Sequence, residues 1–256
     1  MTAQSETART WRRQLRGALV IFKKNAFLYY LKPPVLIFGI LFPVFFFFTF
    51  KLGRPVPVET IVPGMAAMGL WFTASAVGPL VTPWERTAKT YERLISTPLS
   101  LPSILAGDVI SGLVFGACLS VIPVLLGLGL TDASIASMPH LAAGIVLGAL
   151  CFASLGVLLA APPASGPSNI MLLSNLVRLP LLFVSGVFLP IAQMPAWARW
   201  IAPLSPLSYA CALIRSGFGH TAFFPPWLDL LMLVGFTGVF FLASCYFHRK
   251  WRVKGL

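Results

Sequence analysis

Acid–base, metal and thiol chemistry all start from clusters of titratable side chains. This chain of 256 residues has few: seven acids, three histidines and four cysteines. The acids are Glu6, Glu59, Glu85, Glu92, Asp108, Asp132 and Asp229, and no two form a close pair within an apolar run. The paired carboxylates of general acid–base catalysis are therefore not offered. His140, His220 and His248 are scattered, and Cys118, Cys151, Cys211 and Cys245 lie in or near apolar runs without metal-ligand spacing. The thiols read as small, inert apolar residues. Neither G-x-S-x-G nor H-E-x-x-H occurs, so the expectation is no catalytic residue and no metal ligand. No G-x-x-x-x-G-K-[ST] phosphate loop occurs either. If ATP drives this protein, a separate subunit binds it.

Two ionisable groups stand well inside apolar runs, Asp108 and Arg178. A charge at the centre of a membrane span costs about 2.5–3.5 kcal/mol on insertion scales, so each needs a reason. Arg178 is near the middle of its run. It would line a cavity for an anionic or polar substrate, pair with Asp108, or face an aqueous vestibule. Asp108 is nearer one end, within reach of water. Two groups make a thin proton relay, which keeps a stand-alone ion-coupled carrier as an alternative reading. The densest charge lies elsewhere, in TPWERTAKTYERLISTPLS at positions 82–100.

The elements that hold these residues follow from composition. The chain is 57% hydrophobic and 10% charged, whereas soluble domains carry about 25% charged residues. The bilayer is the solvent this composition suits. A span takes about 20 apolar residues. The uncharged runs predict an all-α integral membrane protein with six transmembrane helices, over 33–50, 61–82, 101–130, 139–161, 169–190 and 226–247, in a single transmembrane domain covering 1–256. Arg9, Arg12, Arg13, Arg16, Lys23 and Lys24 precede the first span; Arg86, Lys89 and Arg93 follow the second; Arg249, Lys250, Arg252 and Lys254 follow the last. The opposite loops hold only Lys51, Arg54, Arg199 and Arg215. The positive-inside rule puts both termini in the cytoplasm. The net charge of +12 is then mostly a collar for anionic headgroups rather than a nucleic-acid face. The polar, basic lead of about 30 residues is too long for a cleavable signal peptide.

Three segments lie outside the spans. In 10–31, Trp11, Leu15, Leu19, Phe22 and Ala26 recur at helical spacing among arginines and lysines. This predicts a helix lying in the membrane interface, or else one packed on the protein in the cytoplasm. The turn APPASGPSN at 161–169 is short and uncharged. Residues 185–225 are apolar enough for a span, but prolines at 190, 195, 203 and 206 forbid one helix. Two short helices dipping into the outer leaflet fit better, from Pro195 to Ile201 and from Pro206 to Gly217, with Trp197 and Trp200 at headgroup level. Gly112 with Gly116, and Gly144 with Gly148, predict close helix packing within the bundle.

In the charged stretch, Trp84, Ala88, Tyr91 and Ile95 form an apolar stripe, with Glu85, Arg86, Lys89, Glu92 and Arg93 on the other faces. Glu85 and Lys89 suit an i,i+4 pair, and Pro98 stops the helix. An amphipathic helix over 84–97 results. Physics alone leaves two readings: a handle that fills a cleft on a partner, or a loop helix in the interface with no partner.

ERTAKTYERLISTPLS resembles the E-R-x-x-x-G-T-x-E-R-L-x-x-T-P-x-S cytoplasmic segment of type 2 ABC transporter permease proteins. SGVFLPIAQMPAWARWIAPLSPLSYACALIR resembles the late segment of the same family, through Ser185, Gly186, Pro190, Pro195, Trp197, Pro206, Leu207, Tyr209 and Arg215. The resemblance covers nearly the whole chain. It implies the permease subunit of an ATP-powered exporter, with drug-resistance and lipo-oligosaccharide export permeases closest in character, and polysaccharide or haem-related export as alternatives within the family. It implies a homodimer or a pair with a related permease, and two separate nucleotide-binding ATPase subunits that hold ATP and Mg, with no cofactor in this chain. The charged stretch would be the coupling helix, with Glu85, Arg86, Lys89, Tyr91, Glu92, Arg93 and Leu94 toward the motor. Residues 191–224 would be the outer-leaflet re-entrant helices. Lys89 stands where the family commonly has glycine, and Ser205 where it commonly has asparagine.

Overall fold

A computed structural model of the chain describes residues 3–30, 37, 41–53, 61–97, 99–163 and 166–253. Every regular element among them is helical. The helices are α1 (Ala3–Asn25, running into a π-type turn over Ala26–Tyr30), α2 (Phe42–Gly53), α3 (Val62–Ala74), α4 (Val77–Thr87), α5 (Thr90–Ile95), α6 (Leu101–Leu130), α7 (Met138–Leu159), α8 (Pro167–Val184), α9 (Ala196–Ile201), α10 (Pro206–Gly217) and α11 (Pro226–Val253).

Five stretches are long and apolar enough to cross a membrane: Val62–Thr87, Leu101–Leu130, Met138–Leu159, Pro167–Val184 and Pro226–Trp251. The other expected span, 33–50, falls outside the described residues over 33–36 and 38–40, and the Lys32 to Pro34 break before it and Pro98 after α5 lie outside them altogether. What is described of that span is α2, which at 12 residues is too short to cross alone.

Small residues decide what sits at the centre. Every residue of α3 is buried, and Gly64, Ala66, Ala67, Gly69 and Ala74 keep it slim enough for α6 and α7 to close on it. A Cβ on Gly112 would stand 2.6 Å from the Ala153 Cβ, and one on Gly116 would stand 2.7 Å from the Ala74 Cβ. A Cβ on Gly148 would stand 3.0 Å from Leu70 Cδ2 and 3.1 Å from the Ala210 Cβ. The glycine pairs therefore serve packing inside the bundle. Trp71 anchors this centre edge-on to Phe152, with ring centroids 4.7 Å apart. α8 and α11 are outermost, exposing Leu172, Leu176, Phe183, Leu231 and Leu242 as lipid-facing helices do.

Between α3 and α4 the helix breaks at Ser75 and Ala76. Pro79 explains the break: it has no N–H for the Ser75 carbonyl and its ring crowds that oxygen. The freed turn lets α4 cross α7 at van der Waals limits, where a Cβ on Gly78 would fall 2.0 Å from the Gly156 carbonyl oxygen.

α1 packs along the first turns of α6, burying Ala18, Ile21 and Asn25. Leu15 and Leu19, from the apolar stripe of the expected interfacial helix, are more than half exposed. The face toward α6 is thus built of smaller side chains, and a Cβ on Gly107 would stand 2.8 Å from both the Ala18 carbonyl oxygen and the Ile21 Cβ.

Candidate functional site

The helix expected over 84–97 is two helices. α4 ends at Thr87 and α5 begins at Thr90, because Lys89 takes φ +53°. That left-handed backbone is a helix C-terminal cap, a place that favours glycine because it lacks a Cβ. Lys89 is the one non-glycine residue with positive φ among the described residues. Its N–H donates to the Arg86 carbonyl at 3.1 Å, and the Ala88 N–H to the Trp84 carbonyl at 2.9 Å. The apolar stripe of Trp84, Ala88, Tyr91 and Ile95 is accordingly divided between two axes.

The expected Glu85–Lys89 pair does not form. Glu85 is buried, points into the bundle, and forms an ion pair with Lys24 of α1. The next residue, Asn25, is also buried, and its amide donates to Asp108 Oδ1 at 2.7 Å and to Ser111 Oγ at 3.2 Å on α6. Two consecutive residues of α1 thus hold one carboxylate on α4 and another on α6.

Arg86 is tied to the chain itself. Its guanidinium donates to the Pro162 and Ala161 carbonyls at 3.2 and 3.3 Å, in the turn between α7 and α8. It also lies 5.5 Å from the Tyr91 ring centroid. Burial pushes the Tyr91 phenol above its ordinary range, with the Arg86 charge opposing. Lys89 and Arg93 are exposed and Leu94 is half-buried; Glu92 lies on α5, its side chain outside the described set.

Asp108 and Arg178 are not brought together. Arg178 is buried on α8 and donates to the Ser174 carbonyl at 3.3 Å, Asn175 Oδ1 at 2.9 Å and Ser75 Oγ at 3.2 Å. Its guanidinium also lies 5.9 Å from the Phe72 ring centroid. The Trp71 indole N–H donates to the Arg178 carbonyl at 3.3 Å. Arg178 therefore braces the α3–α4 break with neutral acceptors, while Asp108 belongs to the α1 cluster. The pairing of the two, one of the readings open from sequence, is set aside by these separate partners.

The late segment forms the opposite end of the bundle from α5. Ser185 is buried and donates to the Leu182 carbonyl at 2.7 Å. Gly186 turns the chain at φ +83°. Pro190 precedes a 3₁₀ turn over Ile191–Gln193, Pro195 precedes α9, and Pro206 opens α10. α10 climbs antiparallel to the first half of α7, with Ala210 beside Gly148 and Gly217 beside Leu141. Seven helical residues separate those two α7 contacts, so the hairpin enters about 10 Å along the bundle. The Tyr209 hydroxyl donates to the Pro203 carbonyl at 2.9 Å, closing the bend. Ser205 Oγ reaches only the Leu181 carbonyl, at 3.5 Å, and does not cap α10. Arg215 donates to the Gly186 carbonyl at 2.8 Å, and Trp197 and Trp200 are exposed.

Sequence comparison agrees with this architecture. The model of the ABC-2 type transporter family matches residues 10–218. The chain belongs to that family and is an integral membrane protein. It is 30% identical over 157 residues to a daunorubicin resistance ABC transporter permease protein of Streptomyces coeruleorubidus, covering 60% of this chain and 54% of that protein. It is 29% identical over 172 residues to nodulation protein J of Rhizobium leguminosarum bv. trifolii, covering 63% and 62%. Over 161 residues it is 27% identical to the inner membrane transport permease YadH of Escherichia coli, again covering 63% and 62%. The matched region thus spans between about half and three fifths of these curated relatives.

Asn25 and Ser75 were not singled out by sequence, and Lys24 only as one of the basic residues before the first span, though each holds a residue that was. The partners lie 61, 83 and 103 positions apart, and no local spacing signals them. An uncompensated charge in an apolar run was the available signal, and it marked only Asp108 and Arg178.

Proposed function

We propose that this chain is the permease subunit of an ATP-driven exporter in a prokaryotic cytoplasmic membrane, moving an amphipathic, lipid-linked or drug-like substrate. The residues across α4–α5 form the coupling helix, which docks into a separate ABC-type ATPase. Two permease copies, identical or related, carry the pathway between them, each with six spans, cytoplasmic termini, an interfacial α1 and re-entrant α9 and α10. Lipid covers what the second copy does not, and no nucleic acid takes part.

One observation carries the reading. The last turn of α4 is braced at two places, through Glu85 to α1 and through Arg86 to the turn joining α7 and α8, while Lys89 and Arg93 stay exposed. A push on α5 would therefore reach α1, α7 and α8 together instead of being absorbed in a loose loop. ATP binding would draw the two motors together, and α4 would tilt about the break at Ser75 and Ala76. The name of the daunorubicin resistance relative supports a drug-like substrate.

Transport into inverted vesicles holding this chain and its ATPase tests the reading. Uptake should need hydrolysable ATP and persist when the proton gradient is collapsed. Uptake driven by a proton gradient without ATP would instead favour an ion-coupled carrier.

A further inference from the structure

The end of the bundle opposite α5 holds a cavity that the coupling account leaves unused. It has a volume of about 370 Å³ and lies between the 3₁₀ turn Ile191–Gln193, the outer half of α10 and residues 220–223. A single water takes about 30 Å³, so this space suits a larger guest. Its lining is polar and carries one guanidinium: Arg215 faces it with His220, Gln193, Ser185, Ser208 and Gly186. No acid stands among the described lining residues.

Arg215 is 8% exposed, and its guanidinium is aimed by the Gly186 carbonyl at 2.8 Å and the Val187 carbonyl at 3.5 Å. The left-handed turn at Gly186 presents that carbonyl, which fixes the cation at the cavity wall. A planar guanidinium held this way suits the oxygens of a phosphate. The level in the bundle also matters. Arg215 is two residues from Gly217, whose carbonyl accepts the Ala136 and Ser137 N–H groups in the loop that begins α7. Trp197, Trp200 and Trp227 are exposed at this same end, as indoles are at the headgroup level of a bilayer.

We propose that this cavity is an anion site that takes the phosphate of a membrane phospholipid headgroup, with Arg215 as its charge partner and His220 and Gln193 as flanking donors. The site lies within one chain and does not depend on pairing with an ATPase. A lipid held there would fix the loop after α8 against α10.

Native mass spectrometry of the purified full chain, incubated with phosphatidylglycerol or with phosphate-free diacylglycerol, tests this. The parent chain should keep phosphatidylglycerol in preference. Arg215→Gln should lower that retention about tenfold, the effect of losing one charge-assisted contact, with diacylglycerol unchanged. Gln193→Leu with His220→Leu leaves the guanidinium in place and should give a smaller loss in the same direction. Should Arg215→Gln elute as aggregate, the double variant decides. Equal retention by the parent and the folded variants would overturn the site. Complete displacement of the lipid by millimolar inorganic phosphate would overturn the headgroup assignment in favour of a free anion.

Discussion

Lys89 carries φ +53° at the junction of α4 and α5, where a Cβ crowds the neighbouring carbonyl. Lys89→Gly should therefore stabilise the chain by about 1 kcal/mol, read as a rise of a few degrees in thermal midpoint in detergent. No rise would mean that the turn relaxes at no gain. The ion pair of Lys24 with Glu85 gives an asymmetric prediction. Lys24→Met strands a buried carboxylate and should cost about 3 kcal/mol. Glu85→Gln leaves Lys24, whose side chain is 27% exposed, free to meet water, and should cost about 1 kcal/mol. Combining the two should recover most of the Lys24→Met loss, and thermal unfolding of all four chains measures the coupling. Simple additivity would contradict the pair.

At the scale of elements, the joint between α3 and α4 is the part most able to move. Pro79 leaves the Ser75 carbonyl without its helical donor, and Arg178 holds the Ser75 hydroxyl from the neighbouring helix. Pro79→Ala supplies the missing N–H and should straighten residues 62–87 into one helix. Straightening would pull α4 from Gly156 and draw Arg86 away from the Ala161 and Pro162 carbonyls. The expected result is a folded permease with several-fold lower ATP-coupled transport, and a changed distance between spin labels on α3 and α5. Unchanged transport with a straightened helix would show that the joint is not used.

At the scale of the molecule, what sequence conveyed depended on the range of the interactions. Long apolar runs need only local composition, so α6, α7 and α11 were legible, and Pro195 and Pro206 marked α9 and α10 through their fixed backbone. The motifs at 85–100 and 185–215 identified the family, as the match over residues 10–218 shows. The seating of α1 on α6 was not legible, because the small face of Ala18 and Ile21 that Gly107 admits stands outside the apolar stripe that marked the helix. The split at Lys89 was marked only as a departure from glycine, with no sign that a helix ended there. Glu85 looked like surface because its partner lies 61 residues earlier.

The central claim is that α5 is the handle through which a motor moves this bundle. Arg93 is exposed on α5, so changing it leaves the described interior contacts intact. The decisive measurement is ATP-dependent transport by the reconstituted permease–ATPase complex carrying Arg93→Glu, beside its thermal midpoint and membrane insertion. The account predicts transport reduced about tenfold or more, as for loss of an interfacial charge pair, with insertion and midpoint unchanged. Transport and ATP hydrolysis equal to those of the parent complex would contradict it.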